Sequence, residues 1–184
     1  MNKMEKKSIF LDIGHGGVDD GASYGFVDED DINLAVTFYL DYELRLEGVK
    51  TFLSREKDEY ISLEQRSIEA NIKNVDLFVS IHCDAFHKET SSGMSVHIYQ
   101  NPSVNGIRAA TLIEKQLLIQ FPQHKHRGIK KSNFYVLRKT KMPAVLIECE
   151  FLSNPETRDF LKEPENQRRL ARTIKTGIMK YLET

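Results

Sequence analysis

Cysteine, net charge and long apolar runs are all scarce in this 184-residue chain, and each scarcity closes off a class of function. The only two cysteines, Cys83 and Cys149, supply neither a disulfide framework nor a CxxC pair for redox or metal work. No apolar segment approaches the ~20 residues that a membrane-spanning helix needs, which predicts a soluble protein without membrane insertion. The opening residues 1–7 are basic like the start of a signal peptide. The apolar stretch after them is interrupted by Asp12 and lacks a small-residue cleavage site, so no export signal is expected and the chain is expected to be made in the cytoplasm. A formal charge of -1, from 26 Lys plus Arg against 27 Asp plus Glu, provides no global field to recruit nucleic acid or anionic lipid. The stretch 123–132 is basic (His124, Lys125, His126, Arg127, Lys130, Lys131) but has no interleaved aromatics; it reads as a solvated, exposed loop rather than a nucleic-acid patch. Repeats, low-complexity tracts and linkers are also missing. A chain of this length forms one domain able to bury roughly 70% of its unfolded surface.

What is present is an alternation of apolar runs and helical patterns. Residues 8–14, 49–53, 76–82, 95–99, 134–137 and 144–147 read as strands. Between them, 31–47 reads as a helix with Leu34, Phe38, Tyr42 and Leu46 at near-helical spacing, stopped by Gly48. A second helix over 62–73 opens on a capping box, Ser62 to Gln65, and a third over 104–120 ends at Pro122. Asn154-Pro155-Glu156 starts a short helix with Asn as cap and Pro at the first position, and a final helix covers 164–182. Residues 16–26 form a Gly- and Asp-rich loop. The alternation predicts a single α/β domain, its core spanning about 8–183, with a mostly parallel twisted sheet of about six strands and helices on both faces.

Three of the apolar runs end on side chains that bind metals or move protons: His15 after 9–13, His82 after 77–81 and Glu148 after 144–147. In open α/β sheets reactive groups gather at the carboxyl ends of the strands. Catalytic zinc usually takes three protein ligands and keeps one position open, and two histidines with one glutamate is a recurrent set. His15 and His82 supply the imidazoles. The third ligand is expected from Glu29, Asp30 or Asp31, an acidic cluster at a helix start that also suits the positive end of the helix dipole. Glu148 then suits the proton carrier of an amide hydrolysis, taking a proton from an activated water and passing it to the leaving amine. The competing use of Glu148 is an ion pair with a base such as Arg138. Glu150 is the rival proton carrier, on the same side by alternation but one pleat farther toward solvent. Asp84 stands in the same relation to His82 and could orient its ring. His87, His97, His124 and His126 are assigned to no metal. Alternation turns Cys83 and Cys149 away from the site residues, either as small buried groups or as thiols that approach each other across neighbouring strands.

The residues above carry a resemblance over Ile9 to Tyr181. Leu11-Asp12-Ile13-Gly14-His15-Gly16-Gly17 with Asp20-Gly21-Ala22, Glu29 to Leu34, Leu53-Ser54-Arg55 with Asp58, Ser62-Leu63 with Arg66 and Ala70-Asn71, Asp76 to His82, and Met142 to Glu148 with Phe151 to Asn154 occur in the order found in zinc-dependent N-acetylmuramoyl-L-alanine amidases of the Amidase_3 type. The resemblance implies that His15, Glu29 and His82 hold Zn2+ and that Glu148 is the catalytic acid/base. It selects Glu29 because the family's ligand precedes an Asn-Leu pair by four positions, as Glu29 precedes Asn33. It further implies peptidoglycan as substrate, cut at the amide between the lactyl group of N-acetylmuramic acid and the L-alanine of the stem, with Arg138 helping to orient substrate. Two positions depart from the family: Glu150 stands where Gly is frequent, and Cys83 where a small residue is usual. The expectation is a monomeric catalytic domain over 1–184 without a separate wall-binding domain, an autolysin or endolysin reaching the wall by lysis or non-classical export and active without a partner. A zinc peptidase acting on wall-derived peptides is the alternative enzyme. A glycan-binding module without catalysis is the alternative from another class, and the retention of His15, Glu29, His82 and Glu148 speaks against it.

Overall fold

The computed structural model describes residues 7–183. The first six residues, which carry most of the basic opening segment, and Thr184 lie outside the described residues. The chain runs β1 (Ser8–Ile13), β2 (Ser23–Tyr24), β3 (Val27–Asp28), α1 (Glu29–Leu46), β4 (Lys50–Leu53), α2 (Leu63–Lys73), β5 (Leu77–Asp84), β6 (Met94–Tyr99), α3 (Val104–Gln120), β7 (His126–Ser132), α4 (Tyr135–Lys139), β8 (Ala144–Phe151), α5 (Pro155–Lys162) and α6 (Pro164–Leu182). Six strands form one sheet in the order β4-β1-β5-β8-β6-β7, and β2 pairs with β3 in a small hairpin. All neighbours in the large sheet are parallel except β6 against β8.

Period-two alternation of the central strands divides their side chains between two cores. Ile9, Leu11, Val79, Ile81, Val145 and Ile147 face the larger one, built with α1, α3 and α6. Phe10, Phe78 and Leu146 face the smaller one, where they meet Ala70 of α2 and Val136 and Leu137 of α4. The rings of Phe10 and Phe78 stack there at 5.8 Å. Both capping motifs form as their residues predict: Ser62 and Gln65 exchange side-chain and backbone bonds at the start of α2, and Asn154 caps α5 ahead of Pro155. Among the described residues no helix is long and apolar enough to cross a membrane.

Three local expectations are corrected. The polar stretch read as a loop over 123–132 contains β7, which pairs along the outer side of β6; an edge strand is solvated, so charge and Lys are tolerated in it and no apolar alternation is left to read. Residues 134–137, read as a strand, belong mainly to the five-residue α4, because an apolar run this short has no distinguishable period. On α1 the buried stripe is Ile32, Val36, Leu40 and Leu44, whereas Phe38, Tyr42 and Leu46 are exposed. The helix carries two apolar stripes, and spacing alone does not say which of them meets the sheet.

Helices α3 and α6 touch through Gly177, where an added Cβ would stand 2.6 Å from the Cα of Ile113. Gly177→Ala therefore sets a helix-propensity gain of about 1 kcal/mol against an overpacking cost of about 1–3 kcal/mol. The nearest obstacle is backbone, which gives little, so a net loss of about 1–2 kcal/mol is expected. An unchanged or higher urea midpoint would contradict this close approach.

Candidate active site

Strand β1 lies between β4 and β5, and the chain leaves it along one face through α1 and returns to β5 across the other through α2. Such a reversal opens a crevice at the carboxyl ends of the strands. The parallel registers set Ile13 beside Ile81 and His82 beside Glu148, so the ends of β1, β5 and β8 reach one rim. His15 follows β1 with a positive φ of 60°, an uncommon conformation in which His is nonetheless enriched. Gly14, before it, has no side chain for a reason of space: a Cβ there would stand 2.4 Å from the His82 ring.

Glu29, in the first turn of α1, is the hub of the rim. Its Oε1 lies 3.0 Å from His82 Nδ1 and 3.4 Å from His15 Nε2, and it accepts hydrogen bonds from the Cys83 amide at 3.1 Å and Asn33 Nδ2 at 3.3 Å. Its Oε2 accepts from the Ala22 amide at 3.0 Å. One potential ligand atom from each of His15, Glu29 and His82 falls within 4.8 Å of the others. Zinc bonds of 2.0–2.1 Å imply tetrahedral edges of about 3.3 Å, close to the two measured imidazole-carboxylate separations. Two ring nitrogens directed at one buried carboxylate oxygen make a donor set that fits a divalent cation.

The charges follow from this geometry. Burial works against ionised Glu29, but the hydrogen bonds and charges of His15 and His82 outweigh it and hold the carboxyl well below the usual range. Burial likewise opposes protonation of His15, and Glu29 and Asp19 overcome it, raising the imidazole to about 9. His82 is raised through Glu29 against the same opposing burial. Glu148 is pushed up to about 7 by burial, with His82 pulling down and Glu29 adding to the rise. Its Oε2 is buried without a hydrogen-bond partner. A carboxyl held near neutrality is suited to both accepting and donating a proton.

His15, His82 and Glu148 line one cavity of about 390 Å³ whose wall includes Tyr60, Leu63 and Phe134. Arg138 is not brought into it: the guanidinium bonds Asn133 Oδ1 at 3.0 Å and lines a neighbouring cavity beside Lys141 and Tyr99. It makes no ion pair with Glu148. The Asp84 carboxylate accepts from the Ala85 amide at 2.8 Å and makes no described hydrogen bond to the His82 ring. Asp19, which the spacing did not single out, instead stands beside a site imidazole, its Oδ2 3.0 Å from His15 Nδ1. The expectation that Glu150 lies nearer solvent is corrected. At a bulge in β8, Cys83 alone spans Cys149 and Glu150, which breaks the alternation. Glu150 is fully buried, held by the Gly93 and Phe151 amides and by His124 at 3.0 Å. Cys83 and Cys149 are free and buried on adjacent strands in the larger core, away from the rim.

Comparison with known proteins bears on the family and the fold. The sequence profile of the Amidase_3 family, described as N-acetylmuramoyl-L-alanine amidase, matches residues 9–180. The uncharacterized protein YqiI of Bacillus subtilis (strain 168) is 36% identical over 180 residues, which cover 98% of this chain and 87% of YqiI. The probable cell wall amidase LytH of Staphylococcus aureus is 35% identical over 186 residues, covering 98% of this chain and 60% of LytH, so the chain spans under two thirds of that relative. A crystal structure of N-acetylmuramoyl-L-alanine amidase from Clostridium difficile 630 superposes with a TM-score of 0.92 at 34% identity, over 97% of this chain and 98% of that one. The fold is that of a single α/β domain of the N-acetylmuramoyl-L-alanine amidase class, whose members are hydrolases. The chain belongs to the Amidase_3 family.

The raised His15 gives a signed test of the hub in chelator-treated protein. A folded-state pKa of about 9 above the ordinary 6.5 contributes stability that is fully present below pH 6.5 and lost as pH rises through 9. The urea-midpoint advantage of the parent over His15→Gln should therefore shrink from pH 6.5 to pH 9; a difference constant across that window would contradict the His15–Glu29 contact.

Proposed function

We propose that the protein is a zinc-dependent peptidoglycan hydrolase, an N-acetylmuramoyl-L-alanine amidase that cuts between the lactyl group of N-acetylmuramic acid and the L-alanine opening the stem peptide. The observation that carries this reading is the convergence of His15, Glu29 and His82 beside a buried, unpartnered Glu148 in a chain of this family. The two imidazoles and the Glu29 carboxylate would hold the ion. The chemistry such an ion would supply there is Lewis acidity, which would activate a water and polarise the scissile carbonyl.

The remaining steps belong to the protein. Ionised Glu148 takes a proton from the attacking water, the carbon–nitrogen bond breaks, and the protonated Glu148 returns the proton to the departing α-amine of L-alanine. In the metal-free protein burial already lifts this carboxyl to about 7, where both states are accessible near neutrality. The apolar wall beside it, with Tyr60, Leu63 and Phe134 exposed, offers a surface against which the substrate would rest. Asp19 Oδ2, 3.0 Å from His15 Nδ1, favours the present orientation of that ring through its charge. Arg138 is outside this cavity, so its contacts with substrate would fall on parts remote from the scissile bond. All four central groups come from one chain, so a single copy suffices.

Glu148→Gln should retain one Zn2+ per chain and lose about 10²–10⁴-fold in turnover, the usual contribution of general acid–base catalysis. Chelation of the parent should abolish wall digestion. Mass analysis of digested muropeptides should find intact stem peptides beginning with L-alanine and glycans with a free lactyl carboxylate. Cuts within the stem would favour a zinc peptidase, and full turnover by Glu148→Gln would remove the assigned proton carrier.

A further inference from the structure

Three successive backbone carbonyls, those of Ile13, Gly14 and His15, are held by buried guanidinium groups. Arg66, in the first turns of α2 and 3% exposed, donates through Nη1 to the Ile13 carbonyl and, at 2.9 Å, to Asp12 Oδ1, and through Nη2 to the His15 carbonyl at 2.9 Å. Its Nε donates to the Ile61 carbonyl at 2.8 Å. Arg55, after β4 and 2% exposed, donates through Nη2 to the Gly14 carbonyl at 3.3 Å and the Asp30 carbonyl at 2.9 Å, and through Nη1 to the Lys57 carbonyl at 3.0 Å.

The bland explanation is charge neutralisation, with Arg66 present because Asp12 is buried. The distribution of bonds argues otherwise. Only one of the four Arg66 bonds goes to Asp12, and none of the Arg55 bonds goes to a carboxylate. One bond from each arginine reaches a peptide plane beside the His15 Cα, and the rest tie those guanidinium groups to neighbouring carbonyls and to Asp12. The Gly14 carbonyl belongs to the plane whose rotation sets φ of His15, and the His15 carbonyl to the plane whose rotation sets ψ. Arg55 holds the first and Arg66 the second, and between them lies a residue at φ 60°, a conformation unfavourable for a non-glycine residue that persists only where surroundings enforce it. With both planes fixed the Cα–Cβ direction of His15 is fixed, and Nε2 arrives 3.4 Å from Glu29 Oε1. Arg55 also ties that loop to the first turn of α1 through the Asp30 carbonyl, next to the residue carrying the shared carboxylate.

We propose that Arg55 and Arg66 are positioning residues of the metal centre, which set both backbone dihedrals of His15 so that its imidazole already meets Glu29 and His82 before a cation enters. The inference rests on the ligand set of the proposed amidase. A forked, planar guanidinium can bridge several carbonyls at fixed angles, whereas an ammonium keeps the charge but acts as a point donor.

The test compares Arg55→Lys and Arg66→Lys with the parent and with His15→Gln, in full-length protein stripped of metal and titrated with Zn2+ against a chromophoric chelator. Visible spectra after Co2+ substitution report ligand geometry. Both lysine variants are expected to unfold cooperatively in urea, to bind Zn2+ about 10–100-fold more weakly, the usual effect of removing support behind a ligand, and to shift the cobalt bands. Should Arg66→Lys fail to fold because Asp12 is left poorly paired, Arg55→Lys, which disturbs no carboxylate bond, decides. Folded variants with parental zinc affinity and parental cobalt spectra would overturn the proposal, as would failure of both to fold, since the guanidinium groups would then be requirements of the fold. A parent that binds no Zn2+ and matches His15→Gln would instead remove the amidase reading beneath it.

Discussion

One carboxylate oxygen, Oε1 of Glu29, joins the parts of this molecule that matter for chemistry. It receives the ring of His82 from β5, the ring of His15 from the loop after β1, the Cys83 amide and the Asn33 side chain of its own helix. A buried charge is tolerable only where it is so heavily partnered. The constraint works in both directions: the carboxylate needs those donors, and the donors are drawn to one point by it. The first turn of α1 is thereby joined to the ends of β1 and β5 at the top of the sheet.

Much of this was legible in the sequence because parallel central strands are buried on both faces and so appear as unbroken apolar runs whose ends are easy to mark. The three run ends at His15, His82 and Glu148 meet in one cavity. The alternation that sends Cys83 and Cys149 to the other side of the sheet also holds. What was not legible depends on partners distant in sequence. The exposed Phe38, Tyr42 and Leu46 have the same spacing as the buried Ile32, Val36, Leu40 and Leu44, and only the docking of α1 on the sheet separates them. Glu150 depends on a bulge and on His124, neither marked by any pattern. Asp19 reaches His15 because a tight turn, closed by backbone bonds between Gly16 and Asp19, returns the chain toward the ring.

The two faces of the central strands do different work. On one, side chains from Ile9 to Ile147 are continuous hydrocarbon with two inert thiols, which burial raises well above the ordinary thiol range. On the other, polar groups collect at the strand ends: Asp12 with Arg66 and Ser80, then His82 and Glu148. The apolar side behind the rim keeps the surroundings of low dielectric, which is why Glu148 sits near neutrality although its chemistry is that of an ordinary glutamate. The same side takes up the Cys83 side chain, while its backbone amide donates to Glu29 Oε1 at 3.1 Å.

The separation of the three converging side chains along the polypeptide governs the order of events during synthesis. Glu29 and His82 are 53 residues apart, and no two of the three share a turn of helix or a hairpin, so an unfolded chain offers no local chelate of the kind that lets small zinc modules fold around their ion. The pairing of β1 with β5 is what brings them together, so the cradle is a product of the sheet. A cation bound between these three side chains would be the last part to arrive, held by a shape that the strand pairing builds without it.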